Sequence, residues 1–150
     1  MYLNKNDRLS GLLIVIGFLA GIFSIAPAAD SPGYLTEAAN HSGQLISASI
    51  FQLLMSLCYI GVAVLLYPIL ARYHKTLAIG FLNFRMIAVC LSLLGTILLL
   101  SILALSESFV QGGGQDVSAV EYLGSILKST RDCVNHLFMI FMLCTENILL

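Results

Sequence analysis

The chain has 150 residues, 59% of them hydrophobic and 10% charged, with a formal net charge of −1. A soluble domain carries about 25% charged residues to cover its outer face, so this composition excludes a water-facing globule and sets the outer surface against lipid. No basic block and no aromatic–basic alternation exists to hold nucleic acid, and the length suits one bundle rather than two domains.

Charge is confined to narrow bands. Uncharged runs of 21, 34, 21 and 13 residues separate Arg8 from Asp30, Glu37 from Arg72, Arg85 from Glu107 and Asp132 from Glu146. Apolar stretches of about 18 residues or more are long enough to cross a bilayer. The expected architecture is an all-α integral membrane bundle in a single membrane domain. It has four transmembrane segments in antiparallel up-down order, at about 9–29, 45–70, 80–105 and 133–150.

The first segment, Leu9 to Ala29, spans about 31 Å as a helix, which matches a hydrocarbon core. Lys5 and Arg8 precede it, and Ala26-Pro27-Ala28 has the small-residue pattern of a signal-peptidase site. The run is longer than an ordinary signal-peptide core. Gly17 and Gly21 form a G-x-x-x-G suited to a retained, packed helix, and retention is the preferred reading. An outer connection follows, with a helix start expected at Ser31-Pro32. Asn40-His41-Ser42 fits a glycosylation sequon but stands too close to the next helix to weigh much.

The second segment, Leu45 to Leu70, is about 39 Å long if fully helical, so it must tilt or protrude. Tyr67-Pro68 marks an interface and a kink near its end. The basic turn Arg72-Tyr73-His74-Lys75 follows, and the third segment begins between Leu77 and Phe84. In the next outer connection Gly112-Gly113-Gly114 is a flexible joint, not a phosphate loop, because no Lys-Ser/Thr pair accompanies it. Ser118 and Glu121 form a capping box with Val117 and Tyr122 as its staple. This opens a surface helix over 118–132 that leads into segment four. Five basic residues, Lys5, Arg8, Arg72, Lys75 and Arg85, fall on one side and only Lys128 and Arg131 on the other. The positive-inside rule then makes both termini cytoplasmic.

Membrane helices pack through small and polar side chains, since lipid is as apolar as Leu. Such residues recur at steps of three or four: Gly17, Gly21, Ser24, Ala28; Ser49, Gln52, Ser56, Tyr59, Ala63; and Arg85, Ala88, Ser92, Gly95. Each series marks one helix face, read as the bundle interior. Gly17, Gly21, Ser92 and Gly95 are the packing positions, and the Gly17/Gly21 face is also a candidate contact for a second chain. Gln52, Ser56 and Tyr59 are the candidate polar path.

Arg85 is the most informative single residue. If its helix starts at Phe84 the side chain snorkels to lipid phosphates. If the helix starts at Leu77 it lies about 12 Å inside and needs a partner, with Tyr67 and Glu146 the candidates by position. Glu146 falls deep in segment four, either as an intramembrane acid or as part of a tail that is no ordinary membrane exit. No other chemistry is legible. Cys58, Cys90, Cys133 and Cys144 form no C-x-x-C pair, and His41, His74 and His136 stand apart near segment boundaries. Neither a metal nor a cofactor is implied, and no acid pair or Ser–His arrangement of an enzyme lies in the spans.

The stretches Tyr34-Leu35-Thr36-Glu37-Ala38-Ala39-Asn40, Gly61-Val62-Ala63-Val64-Leu65-Leu66-Tyr67-Pro68-Ile69-Leu70 and Gly80-Phe81-Leu82-Asn83-Phe84-Arg85 resemble a family of bacterial multi-pass membrane proteins, domain of unknown function 4386. The likeness runs from about Leu9 to Phe141. It implies a longer helical bundle, hence a truncated member, and no established activity. Family members carry an acid one turn after the arginine, where this chain has Ala88, so no intrahelical pair is available to Arg85.

Two functional readings follow. The first is a cytoplasmic-membrane protein with a structural or accessory role and no catalytic centre. The second is a transporter or small-molecule-binding protein using the polar face of segment two with Arg85. The expected partners are membrane lipid and either a homo-oligomer or another membrane subunit.

Overall fold

The computed structural model describes residues 5–111 and 117–147. Its order is α1 (Lys5–Phe23), α2 (Pro27–Asp30), α3 (Tyr34–Asn40), α4 (Ser42–Tyr73), α5 (Lys75–Gln111) and α6 (Val117–Asn147). No strand occurs among the described residues. The expected glycine joint at 112–114 and the end of segment four at 148–150 lie outside the described residues.

Helix α5 is the spine of the fold. Its 37 residues reach about 55 Å at 1.5 Å per residue. Helices α4 and α6 pack along α5, α1 packs on α4, and α3 packs on α5 toward its C-terminal end. Two helices are long and apolar enough to cross a membrane. These are α4 and α5, with mean hydropathies of 2.3 and 2.7 over their best windows, while Arg8–Phe23 is a shorter apolar helix. Helix α6 falls below that measure because Glu121, Lys128, Arg131, Asp132 and Glu146 interrupt it. By length and composition, then, the four expected spans become two helices and one shorter apolar helix.

Large apolar side chains cover much of the outside, while several polar ones are buried beside an apolar core of Phe81, Leu45, Leu99 and Ile102. Phe18, Leu57, Val64 and Ile97 are about 60% exposed, whereas Ser49, Ser56, Ser92, Thr96 and Arg85 are buried. In water this would leave a large apolar surface exposed and polar groups desolvated. Against lipid it costs little, and the interior hydrogen bonds help hold the helices.

Several boundaries differ from the sequence reading. The first continuous helix stops at Phe23, well before Ala29. The chain breaks at Ile25 and Ala26, and Pro27 opens α2 at its first position, where a missing N–H costs nothing. Pro32 therefore lies in the turn between α2 and α3 rather than at a helix start. The break has a packing reason. Ala26, Ala28 and Ala29 turn into a cluster with Ala38, Leu45, Ala48, Leu99 and Leu103, where side chains this small let the short helices approach α4 and α5 closely. Helix α4 continues through Pro68 to Tyr73, and His74 alone separates it from α5. Val117 is already helical, so Ser118 lies inside α6 rather than at its cap.

Candidate functional site

The polar face of α4 meets the polar face of α5 along the seam that the residue spacing marked. Ser56 and Ser92 hydroxyls lie 3.0 Å apart, and Gln52 Nε2 donates to the Ser92 carbonyl at 3.2 Å. The hydroxyls of Ser49, Ser56 and Thr96 also return to carbonyls one turn back on their own helices. In a low-dielectric interior these bonds keep every hydroxyl satisfied.

Gly95 decides what happens beside that seam. A methyl group added there would stand 3.2 Å from both Gln52 Nε2 and Asn135 Oδ1. The missing side chain thus admits one amide from α4 and one from α6 to the same spot. Next to it lies a cleft of about 310 Å³ between the end of α1, α4 and α6, at the small end of ligand-binding cavities. Gln52 and Asn135 supply its uncharged hydrogen-bonding groups, Met55, Phe138 and Met139 part of its apolar wall, and Asp30 and Arg131 a neutralised ion pair.

That ion pair belongs to a clamp at the α2–α3 end of the bundle. Arg131 is 6% exposed, and its guanidinium meets the Asp30 carboxylate at 2.5 Å. One turn earlier Lys128 donates to the carbonyls of Asp30 and Ser31 at 2.8 and 3.0 Å and stands 5.3 Å from the Tyr34 ring. The Tyr34 hydroxyl reaches the Glu121 carbonyl, and burial together with the Glu121 charge holds that phenol above its ordinary value. At the same end of the bundle the Ser106 hydroxyl donates to the Leu35 carbonyl. The turn holding α2 and α3 is therefore tied to both α5 and α6.

At the other end of the seam stands Arg85, ten residues into α5 because that helix begins at Lys75. It is 7% exposed, so it packs inside the bundle and does not snorkel. Its guanidinium carbon lies 4.6 Å from the centroid of the Tyr59 ring, and one terminal nitrogen meets the Met142 sulfur at 2.8 Å. Nε is buried with no hydrogen-bond partner. The partners nominated by position are not the ones used. Tyr67 does not bond Arg85, and Glu146, one turn beyond Met142, is exposed and forms no ion pair with it. Tyr59 fills the partner role because the Gly17 face of α1 leaves room for its ring, 3.5 Å from where a Gly17 methyl would stand.

The Gly17/Gly21 face is occupied within the chain. A methyl at Gly17 would approach Cys58 Cβ to 3.2 Å, and one at Gly21 the Met55 sulfur to 3.2 Å. Four of the five polar candidates, Gln52, Ser56, Tyr59 and Arg85, thus line one seam with Ser92 and Gly95, and Glu146 stays outside it. The sequence reading missed Asn135, Arg131, Asp30 and Met142. Lys128, Arg131 and Asn135 carry the same three-and-four spacing on α6 that marked the other helices, and extending the stripe search there would have found them.

No curated protein and no solved structure matches the chain. The family model described as Domain of unknown function (DUF4386) matches residues 9–150, which takes in all three helices of the seam, α4, α5 and α6. With nearly its whole length aligned, the chain belongs to that domain family of unknown function.

Proposed function

We propose that this protein is a four-span component of the bacterial cytoplasmic membrane that binds a small polar molecule in the cleft beside Gly95. The spans are α1, α4, α5 and the apolar half of α6. The start of α1 and the α4–α5 turn face the cytoplasm, in keeping with the basic residues Arg8, Arg72 and Lys75 there. The first span is retained, a reading supported by the burial of Ala26, Ala28 and Ala29, since a peptidase needs an accessible, extended site.

One observation carries the binding reading. The amides of Gln52 on α4 and Asn135 on α6 come together at Gly95 of α5, and the cleft beside them is left unfilled by side chains. A bundle serving only to pack would gain by closing that space. The structural or accessory reading is favoured instead by the Gln52–Ser92 and Ser56–Ser92 bonds, which hold helices without any ligand.

Single cysteines in a cysteine-free background test both parts. An impermeant maleimide should label Asn40→Cys from outside intact cells, and Arg72→Cys only after the membrane is opened. Labelling of the two from the same side removes the topology. Asn135→Cys should react with a small water-soluble thiol reagent in intact membranes. Complete protection there removes the binding reading and leaves packing as the role.

A further inference from the structure

We infer that the Arg85 end of the seam is a binding site for an oxyanion, a phosphate or carboxylate group. This rests on the membrane placement proposed above but not on the cleft at Gly95. A guanidinium stays charged in any protein environment and carries five N–H donors in a planar fork. Here one donor meets a thioether, a weak acceptor, the cation lies on the Tyr59 ring, and Nε has nothing. A ring face and a sulfur do not neutralise a buried cation, and a charge held among apolar helices normally has a counter-charge.

Among the described residues the acid placed by sequence toward this end of α6 is Glu146, one turn beyond Met142, and it is exposed and forms no ion pair with Arg85. Ala88, on the same face of α5, is fully buried and supplies no acid. An incoming counter-charge would take the place of the half-buried Met142 thioether at the terminal nitrogen it now meets. Two oxygens of a phosphate or carboxylate there match the guanidinium fork. A lipid headgroup drawn in from the cytoplasmic leaflet and a soluble anion offer the same chemistry.

The test uses the full chain in lipid nanodiscs and reads thermal stability. One arm adds inorganic phosphate to phosphatidylcholine discs, with chloride at equal ionic strength as the control. The other compares discs with and without phosphatidylglycerol and no phosphate. Wild type should gain stability in at least one arm. A gain only with phosphatidylglycerol identifies the lipid headgroup, and a gain with phosphate a soluble anion. Arg85→Met should lose that response, with apparent anion affinity falling about tenfold or more. Should Arg85→Met not fold, Met142→Glu decides, because it places an internal carboxylate against the same guanidinium nitrogen. It should raise stability in neutral lipid and abolish the anion response. No gain in either arm for wild type, or a response that survives in Met142→Glu, overturns the inference. Topology is read separately by the cysteine labelling above, so a failed anion response leaves the membrane placement standing.

Discussion

Gly95 and the two serines set the fine energetics of the seam at the scale of single residues. Gly95→Val would drive a branched side chain against the amides of Gln52 and Asn135, each 3.2 Å from the first carbon added. Backbone shift or off-rotamer side chains should cost about 1–3 kcal/mol, read as lost unfolding free energy in mixed micelles. Ser56→Ala removes one hydroxyl from the Ser56–Ser92 contact. Interhelical hydrogen bonds in membranes average about 0.6 kcal/mol, so its effect should be several-fold smaller than that of Gly95→Val. A reversed order would mean the amides have room to spare and the cleft is not shaped by Gly95.

Pairs of elements make sharper demands. Helix α1 reaches α4 because Gly17 and Gly21 carry no side chain where Cys58 and Met55 approach. Gly17→Cys, with Cys90, Cys133 and Cys144 replaced by Ala, places a thiol beside the native Cys58 at a separation close to that of disulfide β-carbons. Mild oxidation should yield a monomer with an internal crosslink and faster gel mobility. A crosslinked dimer would place the glycine face against a second chain instead. Helix α6 is tied back to α2 by Arg131 and Asp30. Arg131 is buried while the Asp30 side chain is 49% exposed, so solvent screening trims the pair's worth to about 1 kcal/mol. A double-mutant cycle with Asp30→Ala and Arg131→Met should return a coupling of that size, and zero coupling would make the clamp ornamental.

Across the whole molecule, polar contacts are stacked in layers that cross several helices. The layer at the α2–α3 end joins α2, α3 and α6 through Asp30, Tyr34, Lys128 and Arg131. The middle layer joins α4, α5 and α6 through Gln52, Ser92, Gly95 and Asn135. The layer at the opposite end runs from Gly17 on α1 through Tyr59 and Arg85 to Met142 on α6. Cutting it with Tyr59→Leu removes the ring beneath a buried cation. It should reduce the yield of folded protein from membranes more than Tyr67→Leu, because the ring that lies on the Arg85 guanidinium is that of Tyr59. Equal yields would mean that Arg85 is held in some other way.

Residue spacing alone identified the helical class, the long apolar character of α4 and α5, and which faces turn inward, since both outward-facing and interior-facing positions follow the 3.6-residue period. Ser49, Ser56, Ala63, Ala88, Ser92 and Gly95 are buried as their steps required. Spacing could not say where α1 ends, because the break at Ile25 and Ala26 is set by alanines packing on Leu99 and Leu103, far along the chain. Nor could it choose the partner of Arg85. Tyr67 and Glu146 were as well placed by position as Tyr59, and only the seating of the Tyr59 ring beside Gly17 separates them. Periodicity is a property of one helix at a time. Which side chains meet, and that Arg85 has no ion pair among the described residues, depends on the register between helices, and only the assembled bundle sets that register.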